Sequence, residues 1–411
     1  MKRFFLILAG LFFALLVSAQ TDTLHLVYSV RGKVSDSRTG KPLEAVHVSL
    51  TDRYHATVTN ADGEFTLKSD RPIGSIRFSY LGYRTLIRRA VDGPLKVSLT
   101  PEAMPLEGSR IISGDPVELL QEAISRIPDN YSTEPELLRC FYRETVRKRQ
   151  RFTYISEAVA RIYKTGYDEQ SVVRDRAALE KSRILLSQRG ADTLSVKMMG
   201  GPTQALTLDV VKDVSLLFSP EEMARYRYVM APPAQIGDRP QFVIRMTPDP
   251  QDKRPDAPYS GTLYIDQETL SFTRIELSMD MSDPARATSM ILVRKPFRLR
   301  FVPKEASIIL TYRRENGKSR IDYLRSTLRF NCDWRKKLFS TSYTVVNELV
   351  VTDLVEPVVP IPRDQRFRPG DILNDKAAEF LDPDFWLDYN IIEPTESLEN
   401  AIGRLKKQIR P

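Results

Sequence analysis

The chain has 411 residues, of which 42% are hydrophobic, so two or three domains with packed cores are expected. Its formal net charge is +8, and its two cysteines, Cys140 and Cys332, lie outside any CxxC motif or Cys/His cluster. This pattern argues against a cysteine-based metal site and leaves open whether the two cysteines pair or remain buried thiols.

The sequence begins with the features of a secretory signal peptide. Lys2 and Arg3 precede an apolar run at residues 4–17, and residues 17–19 (VSA) supply small side chains for cleavage. We therefore predict a signal peptide at residues 1–19, export of the rest, and no transmembrane segment after cleavage. In an exported protein, excess positive charge favours anionic lipid or acidic glycan over nucleic acid, although ordinary surface charge is the simplest interpretation.

Residues 20–100 are predicted to form a small β-sandwich. Seven short strand-like segments follow one another at a spacing of about 8–12 residues, which is typical of such folds. Gly40 and Pro42 mark the first turn, and the segment NADG at residues 60–63 predicts a hairpin in which Gly63 takes a positive φ. We expect an immunoglobulin- or transthyretin-like sandwich of seven strands.

The ordered series GKVSD, GKPL, AVHV, TNADGEF and FSYLGY in this region resembles the carboxypeptidase-regulatory-like domain. The resemblance implies a transthyretin- or immunoglobulin-like fold. It also implies an envelope protein of a Gram-negative bacterium, located in the periplasm or at the outer membrane, because such domains also precede TonB-dependent receptors. It implies no peptidase activity.

The rest of the chain is predicted to contain a linker and a larger β-rich domain. Residues 101–136 form the linker and an amphipathic helix at residues 115–127, for which Asp115 is a suitable cap. Residues 137–411 predict one large curved antiparallel sheet with a few helices, so the fold class is mainly β. The helices include one in the segment SPEEMARYRYV and a closing helix at residues 396–408.

This second region also carries a resemblance. The segments AISRIPDNY, FYRET, ISEAVARIYK, MMGGP, GTLYID and DFWLDYNIIEPTESLENAI resemble the uncharacterised C-terminal region that follows the regulatory-like domain in exported bacterial proteins. The GTLYID hairpin and the large predicted sheet are also similar to the half-barrel of lipoprotein-sorting carriers. That second likeness implies an apolar trough on the concave face of the sheet.

The distribution of histidine excludes the commonest catalytic sites. The three histidines are His25, His47 and His55, so a Ser-His-Asp or Cys-His pair within residues 137–411 is impossible. No acidic partner stands at ligand spacing from His47, which excludes a zinc peptidase motif. We expect ordinary surface roles for His47 and His55, and we predict no catalytic residue, no metal site and no cofactor.

Three other segments remain as candidates. The segment MGGP at residues 199–202 is either a turn or a close backbone approach to a ligand. Asp382 and Asp384 could act as an acid and a base, but anchoring of the tail by Phe385 and Trp386 is the favoured interpretation. The basic hairpin tip at residues 147–151 could contact an anionic membrane surface, and a solvated turn is the simpler alternative.

These observations predict a non-enzymatic cell-envelope protein that binds an envelope partner or an apolar ligand. One alternative is a periplasmic lipid or lipoprotein carrier with a half-barrel trough. A second is a carboxylate-based glycan hydrolase. Nucleic acid is not an expected partner.

Overall fold

The computed structural model describes residues 27–102, 114–189, 197–198, 201–294, 296–334, 340–368, 371, 378–379, 385–386 and 389–409. The predicted signal peptide at residues 1–19 lies outside these ranges, as do Asp382, Asp384 and residues 199–200 of the MGGP segment. Within the described residues, no helix is both long enough and apolar enough to span a membrane.

Residues 28–99 form two small packed sheets, which confirms the seven-strand architecture. The strands are β1 (Tyr28–Asp36), β2 (His47–Leu50), β3 (Ala56–Val58), β4 (Glu64–Ser69), β5 (Ser75–Ser79), β6 (Leu86–Arg89) and β7 (Leu95–Leu99). One sheet has the order β4-β1-β7 and the other β3-β2-β5-β6. Val34, Val48 and Phe78 belong to the core between them and are fully buried, because alternate residues of a strand face the same side.

The predicted hairpin turn before β4 is confirmed. Gly63 has φ +76°, and its amide donates a hydrogen bond to the Asn60 carbonyl (N···O 2.9 Å). The Asn60 side chain accepts hydrogen bonds from the amides of Asp62 and Glu64, which closes the turn. A Cβ atom at Gly63 would lie 2.4 Å from the Val34 carbonyl oxygen, so the turn requires glycine at this position.

The second part of the chain forms one large, mainly antiparallel curved sheet, as predicted. Its strands and two short flanking ones are β8 (Glu136–Lys148), β9 (Arg151–Lys164), β10 (Arg176–Leu186), β11 (Lys197–Met198), β12 (Tyr226–Ile236), β13 (Arg239–Pro248), β14 (Tyr259–Asp266), β15 (Phe272–Met279), β16 (Leu292–Arg294), β17 (Leu299–Glu315), β18 (Lys318–Trp334), β19 (Thr341–Leu354), β20 (Arg366–Phe367) and β21 (Ala378–Glu379). The order is β12-β13-β14-β15-β17-β18-β19-β8-β9-β10-β20, with β21 beside β10. β11 pairs with β16 separately.

One face of this sheet, here called the inner face, is covered by the chain itself. The helices are α1 (Pro116–Ser125), α2 (Ile127–Asn130), α3 (Pro202–Leu206), α4 (Pro220–Met223), α5 (Pro284–Ile291) and α6 (Glu396–Ile409). Leu120 of α1, Val211 and Phe218 share one apolar core with strand residues such as Ile275 and Leu310. The segments at residues 116–131 and 201–226 therefore cover apolar side chains of the sheet that an open apolar trough would need to expose.

A buried charge network fastens residues 201–226 to the sheet. The Nζ atom of Lys164 lies 2.8 Å from a carboxylate oxygen of Asp209, and that of Lys212 lies 2.5 Å from Asp175. The Tyr312 hydroxyl donates to Asp209 (O···O 2.7 Å). Burial would raise the pKa of Asp209, but the charge of Lys164 outweighs it and holds that pKa below its usual value.

The helix predictions are partly correct. Asp115 caps α1, where its side chain accepts the Val117 amide, and α6 closes the chain as expected. The predicted helix in SPEEMARYRYV is wrong beyond its first turn, because α4 ends at Met223 and β12 begins at Tyr226. Aromatic side chains favour strands, and pairing of β12 with β13 overrides the helical pattern.

Candidate functional site

The outer face of the large sheet carries the small N-terminal sheets. Val58 of β3 packs with Phe141, Tyr323 and Val350, which project from three neighbouring strands. These side chains form one apolar cluster between the two parts of the molecule. The N-terminal sheets are therefore docked against the large sheet through a packed contact.

The C-terminal tail strengthens this contact. The Trp386 ring meets Phe141 edge to face at 5.7 Å, and its indole N–H donates to Glu157 (N···O 3.1 Å). The Asn390 side chain accepts the Lys68 amide at 2.7 Å and donates to the Lys68 carbonyl at 3.0 Å. Trp386 thus has the anchoring role predicted from the sequence, and the tail holds both parts of the molecule.

A row of alternating charges crosses the outer face beneath this contact. Register places these residues side by side on five successive strands: Arg325, Glu348, Arg143, Glu157 and Arg183. Glu157 is fully buried and lies 2.7 Å from Arg143 and 2.6 Å from Arg183. Burial would raise the pKa of Glu157, but the two guanidinium groups together keep it below its usual value.

The expectation of ordinary surface roles for His47 and His55 is wrong. His47 does point away from the N-terminal core, but its Nδ1 lies 2.8 Å from Asp322 of the large sheet. His55 makes an ion-pair contact with Asp353 in the same way. Both histidines therefore contact the large sheet, because the outward face of β2 and β3 is covered by it.

A cleft of about 790 Å³ lies beside this contact, between the four-stranded sheet and the large sheet. Its N-terminal wall is the outward face of β2, β5 and β6, with Ser49, Arg77 and Ser79. The opposite wall includes Thr273 of β15 and Thr311 of β17. The walls therefore come from both parts of the chain and carry apolar side chains, such as Ile87 and Ile236, as well as polar ones.

A second contact closes the far side of the cleft. The Gly82 amide donates to the Gln235 carbonyl (N···O 2.8 Å), and Leu81 forms a β-bridge with Ile236. Gly237 has φ +61°, and a Cβ atom there would lie 2.9 Å from the Thr85 hydroxyl oxygen. Glycine at this turn therefore permits the close approach of the β12–β13 hairpin to the N-terminal sheets.

The floor of the cleft holds polar groups that are not fully paired within the described structure. The Tyr54 hydroxyl is buried without a hydrogen-bond partner there, and burial raises the Tyr54 pKa above its usual value. The Arg313 guanidinium lies over the Tyr54 ring at 3.5 Å. Its Nη2 is 3.8 Å from Glu315, too far for a direct hydrogen bond. A ligand that forms hydrogen bonds with such unpaired groups is stabilised by them.

Asp322 supplies a negative charge that balances the positive charge of Arg313 on the cleft floor. Its carboxylate lies between His47 and Arg313, whose Nε is 3.4 Å away. Burial would raise the pKa of Asp322, but His47 and Arg313 outweigh it and lower that pKa. Arg77 on the rim is exposed and makes no ion pair with the described residues. The cleft thus offers hydroxyl groups and guanidinium groups to a ligand.

The His47–Asp322 pair resembles half of a catalytic triad, but its geometry does not supply a general base. With Nδ1 facing Asp322, the base would have to be Nε2. That atom faces the Arg313 guanidinium at 3.1 Å, and arginine can only donate. The Nε2 lone pair therefore accepts a hydrogen bond from Arg313 and is not available to take a proton from a nucleophile.

The described part of the MGGP segment and the two cysteines, which the sequence also singled out, do not line the cleft. The Gly201 amide donates to the Tyr142 hydroxyl (N···O 2.9 Å) with φ +90°, so the described part of the MGGP segment is a packed turn. Cys140 and Cys332 are both buried free thiols. Within the described residues, no three side chains of His, Cys, Asp or Glu are grouped to hold a metal ion.

Sequence reasoning missed the cleft. Its floor joins residues of β2 to residues of β17 and β18 that lie more than 250 positions later, for example His47 and Arg313. Patterns within single strands carry no signal for such a contact. The one signal in the sequence is His47 on the outward face of β2, since an outward side chain on a strand can contact a distant part of the chain.

The fold and the cleft together define a β-sandwich module docked on a large curved sheet. Residues 30–103 match the family model described as the CarboxypepD_reg-like domain, which confirms the resemblance drawn from the sequence. No curated protein matches the chain significantly.

Several solved structures are similar to the chain at low identity. A DUF1329 family protein from Desulfovibrio piger is 10% identical, with 58% of this chain and 94% of that chain covered and a TM-score of 0.26. A LolA superfamily protein from Nitrosomonas europaea is 12% identical, with 60% and 99% covered and a TM-score of 0.20. A putative membrane-associated protein of unknown function from Bacteroides fragilis is 10% identical, with 80% and 99% covered and a TM-score of 0.15.

Proposed function

We propose that this chain is a non-enzymatic binding protein of the cell envelope that holds a polar ligand in the cleft between its two parts. The observation that carries the proposal is the cleft floor, where Tyr54, Arg313 and Glu315 present polar atoms that are incompletely paired among the described residues. A ligand that offers both donors and acceptors would pair these atoms. Hydroxyl groups of Ser79 and Thr273 on the walls would add orientation.

The absence of an available base at His47 supports binding rather than catalysis. A nucleophile such as Ser49 on the same strand face would need an imidazole lone pair within reach. The Arg313 guanidinium holds that lone pair, so the histidine fixes the docked arrangement. The glycan hydrolase alternative depends on Asp382 and Asp384, which lie outside the described residues.

The packing of the inner face favours the cleft over an apolar trough as the ligand site. In the described structure, Leu120, Val211 and Phe218 fill the inner face and belong to its largest core cluster. An apolar ligand would have to displace these buried side chains, which costs their burial free energy. The carrier alternative therefore requires a rearrangement of the inner face, whereas a ligand can enter the cleft without one.

Native mass spectrometry tests the proposal. The protein would be isolated from a Gram-negative envelope under native conditions and, after removal of bound material, incubated with the polar fraction of an envelope extract. We expect a non-covalent adduct that is lost in Thr273→Trp, which fills the cleft, and weakened in Arg77→Glu. Arg88→Glu, an equal charge change on β6 outside the cleft lining, should retain it.

Two results would contradict the proposal. One is unchanged adduct formation in Thr273→Trp with native folding. The other is an adduct that appears only with the lipid fraction and persists in both cleft variants. The second result would favour the carrier alternative.

A further inference from the structure

Six strand ends meet at the end of the large sheet that lies away from the cleft. β17 and β19 begin there, and β8, β10 and β18 end there beside the start of β9. The Arg149 amide donates to the Ser342 carbonyl (N···O 2.7 Å), which joins the β8–β9 tip to β19. The last turn of α6 reaches the same end, where Gln408 contacts Ser187.

This end, here called the basic end, is strongly cationic. Its described segments are residues 148–151, 187–189, 297–300, 333–334, 340–342 and 404–408. They contain nine basic residues, namely Lys148, Arg149, Arg151, Arg189, Arg298, Arg300, Arg404, Lys406 and Lys407. Asp333 is the single acidic residue in these segments. The excess charge therefore comes from four separate parts of the chain that the fold brings to one edge.

A large apolar side chain projects from the same end. Phe297 is 94% exposed and immediately precedes Arg298 and Arg300 at the start of β17. An aromatic ring in water is unfavourable, whereas the head-group region of a bilayer accepts both the ring and the guanidinium groups beside it. The exposed ring thus adds a second kind of lipid-directed group to the charge.

We propose that the basic end binds an anionic membrane surface, with its arginines on lipid phosphates and Phe297 inserted among the head groups. The positive charge of the basic end favours an anionic partner. The exposed ring of Phe297 favours a bilayer over a soluble polyanion, because a soluble polyanion offers no apolar region to the ring. The proposal extends the predicted role of residues 147–151 to three further segments, and it does not depend on the cleft having a ligand.

The arrangement also sets the position of the cleft. β17 begins at Leu299 at the basic end, and its last residue, Glu315, lines the cleft. Its 17 residues, at about 3.3 Å each, span roughly 50 Å. A molecule bound through the basic end would therefore present the cleft well away from the bilayer.

Vesicle sedimentation tests the proposal. The full chain without residues 1–19 would be mixed with phosphatidylcholine vesicles that contain or lack about one third phosphatidylglycerol. We expect binding only to the anionic vesicles, and binding should weaken as salt rises. Arg149→Glu/Arg298→Glu/Arg404→Glu changes one exposed arginine in each of three segments and should lower the partition coefficient at least about a hundredfold, at roughly fivefold for each arginine lost.

Matched variants separate lipid binding from other outcomes. Arg31→Glu/Arg88→Glu/Arg89→Glu makes the same charge change on exposed N-terminal positions and should retain most binding. Phe297→Ser should weaken vesicle binding several-fold and leave binding to heparin unchanged. Equal sedimentation of the wild type and the basic-end variant, with both folded, would overturn the proposal. A second result would also overturn the proposal: loss of vesicle binding in the basic-end variant together with unchanged vesicle binding in Phe297→Ser. It would indicate a surface that binds any polyanion.

Discussion

Two neighbouring rows of residues on the large sheet face opposite environments. The outer row contains Arg325, Glu348, Arg143, Glu157 and Arg183, and the inner row, one position away on each strand, contains Leu324, Leu349, Tyr142, Ala158 and Ser182. The inner row packs under helices of the same chain, whereas the outer row supports a second module. The sheet therefore uses its inner face for its own apolar core, and its outer face, which carries both charged and apolar side chains, for contacts with the N-terminal sheets and the tail.

This difference bears on where a ligand can bind. A carrier needs an accessible apolar face, and here the described inner face is closed by residues 116–131 and 201–226. The accessible cleft lies on the outer side, where Arg313 and Tyr54 meet. The following changes test this division of roles, beginning with the largest expected effect.

Asp209→Asn tests whether the inner face is permanently closed. The change leaves Lys164 buried without its closest carboxylate, so we expect a loss of about 4 kcal/mol in the free energy of unfolding. Urea denaturation measures it. Glu305→Gln removes a partner of Arg329 at an exposed ion pair and should cost less than about 1 kcal/mol. Equal effects of the two changes would mean that the buried network does not hold the inner face.

Trp386→Ala tests the anchoring of the tail on the outer face. The change removes the ring against Phe141 and the donor to Glu157, so we expect a loss of about 3 kcal/mol. Limited proteolysis should then cut the tail faster than in the wild type. Unchanged proteolysis would show that Asn390 and Lys68 hold the tail without the indole.

The pH dependence of stability tests the charged contact at the cleft floor. The pKa of Asp322 is lowered in the folded protein, so its contribution is complete above the unfolded value near 4 and is lost as the pH falls through the folded value. Asp322→Asn should lower the Tm at pH 7, and the difference from the wild type should shrink below pH 4. A difference that stays constant with pH would contradict the ion-pair account.

Gly237→Ala tests the second contact that closes the cleft. A methyl group there meets Thr85 and also carries the cost of φ +61°, so we expect a loss of about 1–2 kcal/mol. Gly317→Ala is the matched control, because Gly317 has φ +80° but nothing within 4 Å of an added Cβ atom. Faster amide exchange at Gly82 should appear only in Gly237→Ala. If amide exchange at Gly82 became equally faster in both variants, the contact between Gly237 and Thr85 would not be what holds the hairpin against the N-terminal sheets.

Much of the fold could be predicted because the signals are local. Alternation and turn residues such as Gly63 indicate the seven N-terminal strands, and the periodic apolar residues of α6 indicate the closing helix. The helix predicted after Met223 is wrong because pairing with β13, which local sequence patterns do not reveal, decides the conformation of this segment.

The cleft could not be predicted, since its parts are brought together by docking. His47 and Arg313 are 266 positions apart, and the charged row depends on the register of five strands that are not all sequential. A carboxylate such as Glu157 looks like a solvated strand residue in the sequence. Its buried role follows only from the strands and tail around it.

Hydrogen exchange of the wild-type protein, with and without the polar fraction of an envelope extract, tests the central claim most directly. We predict slower exchange at the cleft, in residues 77–87, 273–274 and 311–315, with no change in the inner-face residues 201–226. Protection confined to residues 201–226, or faster exchange there on addition of lipid, would contradict the account.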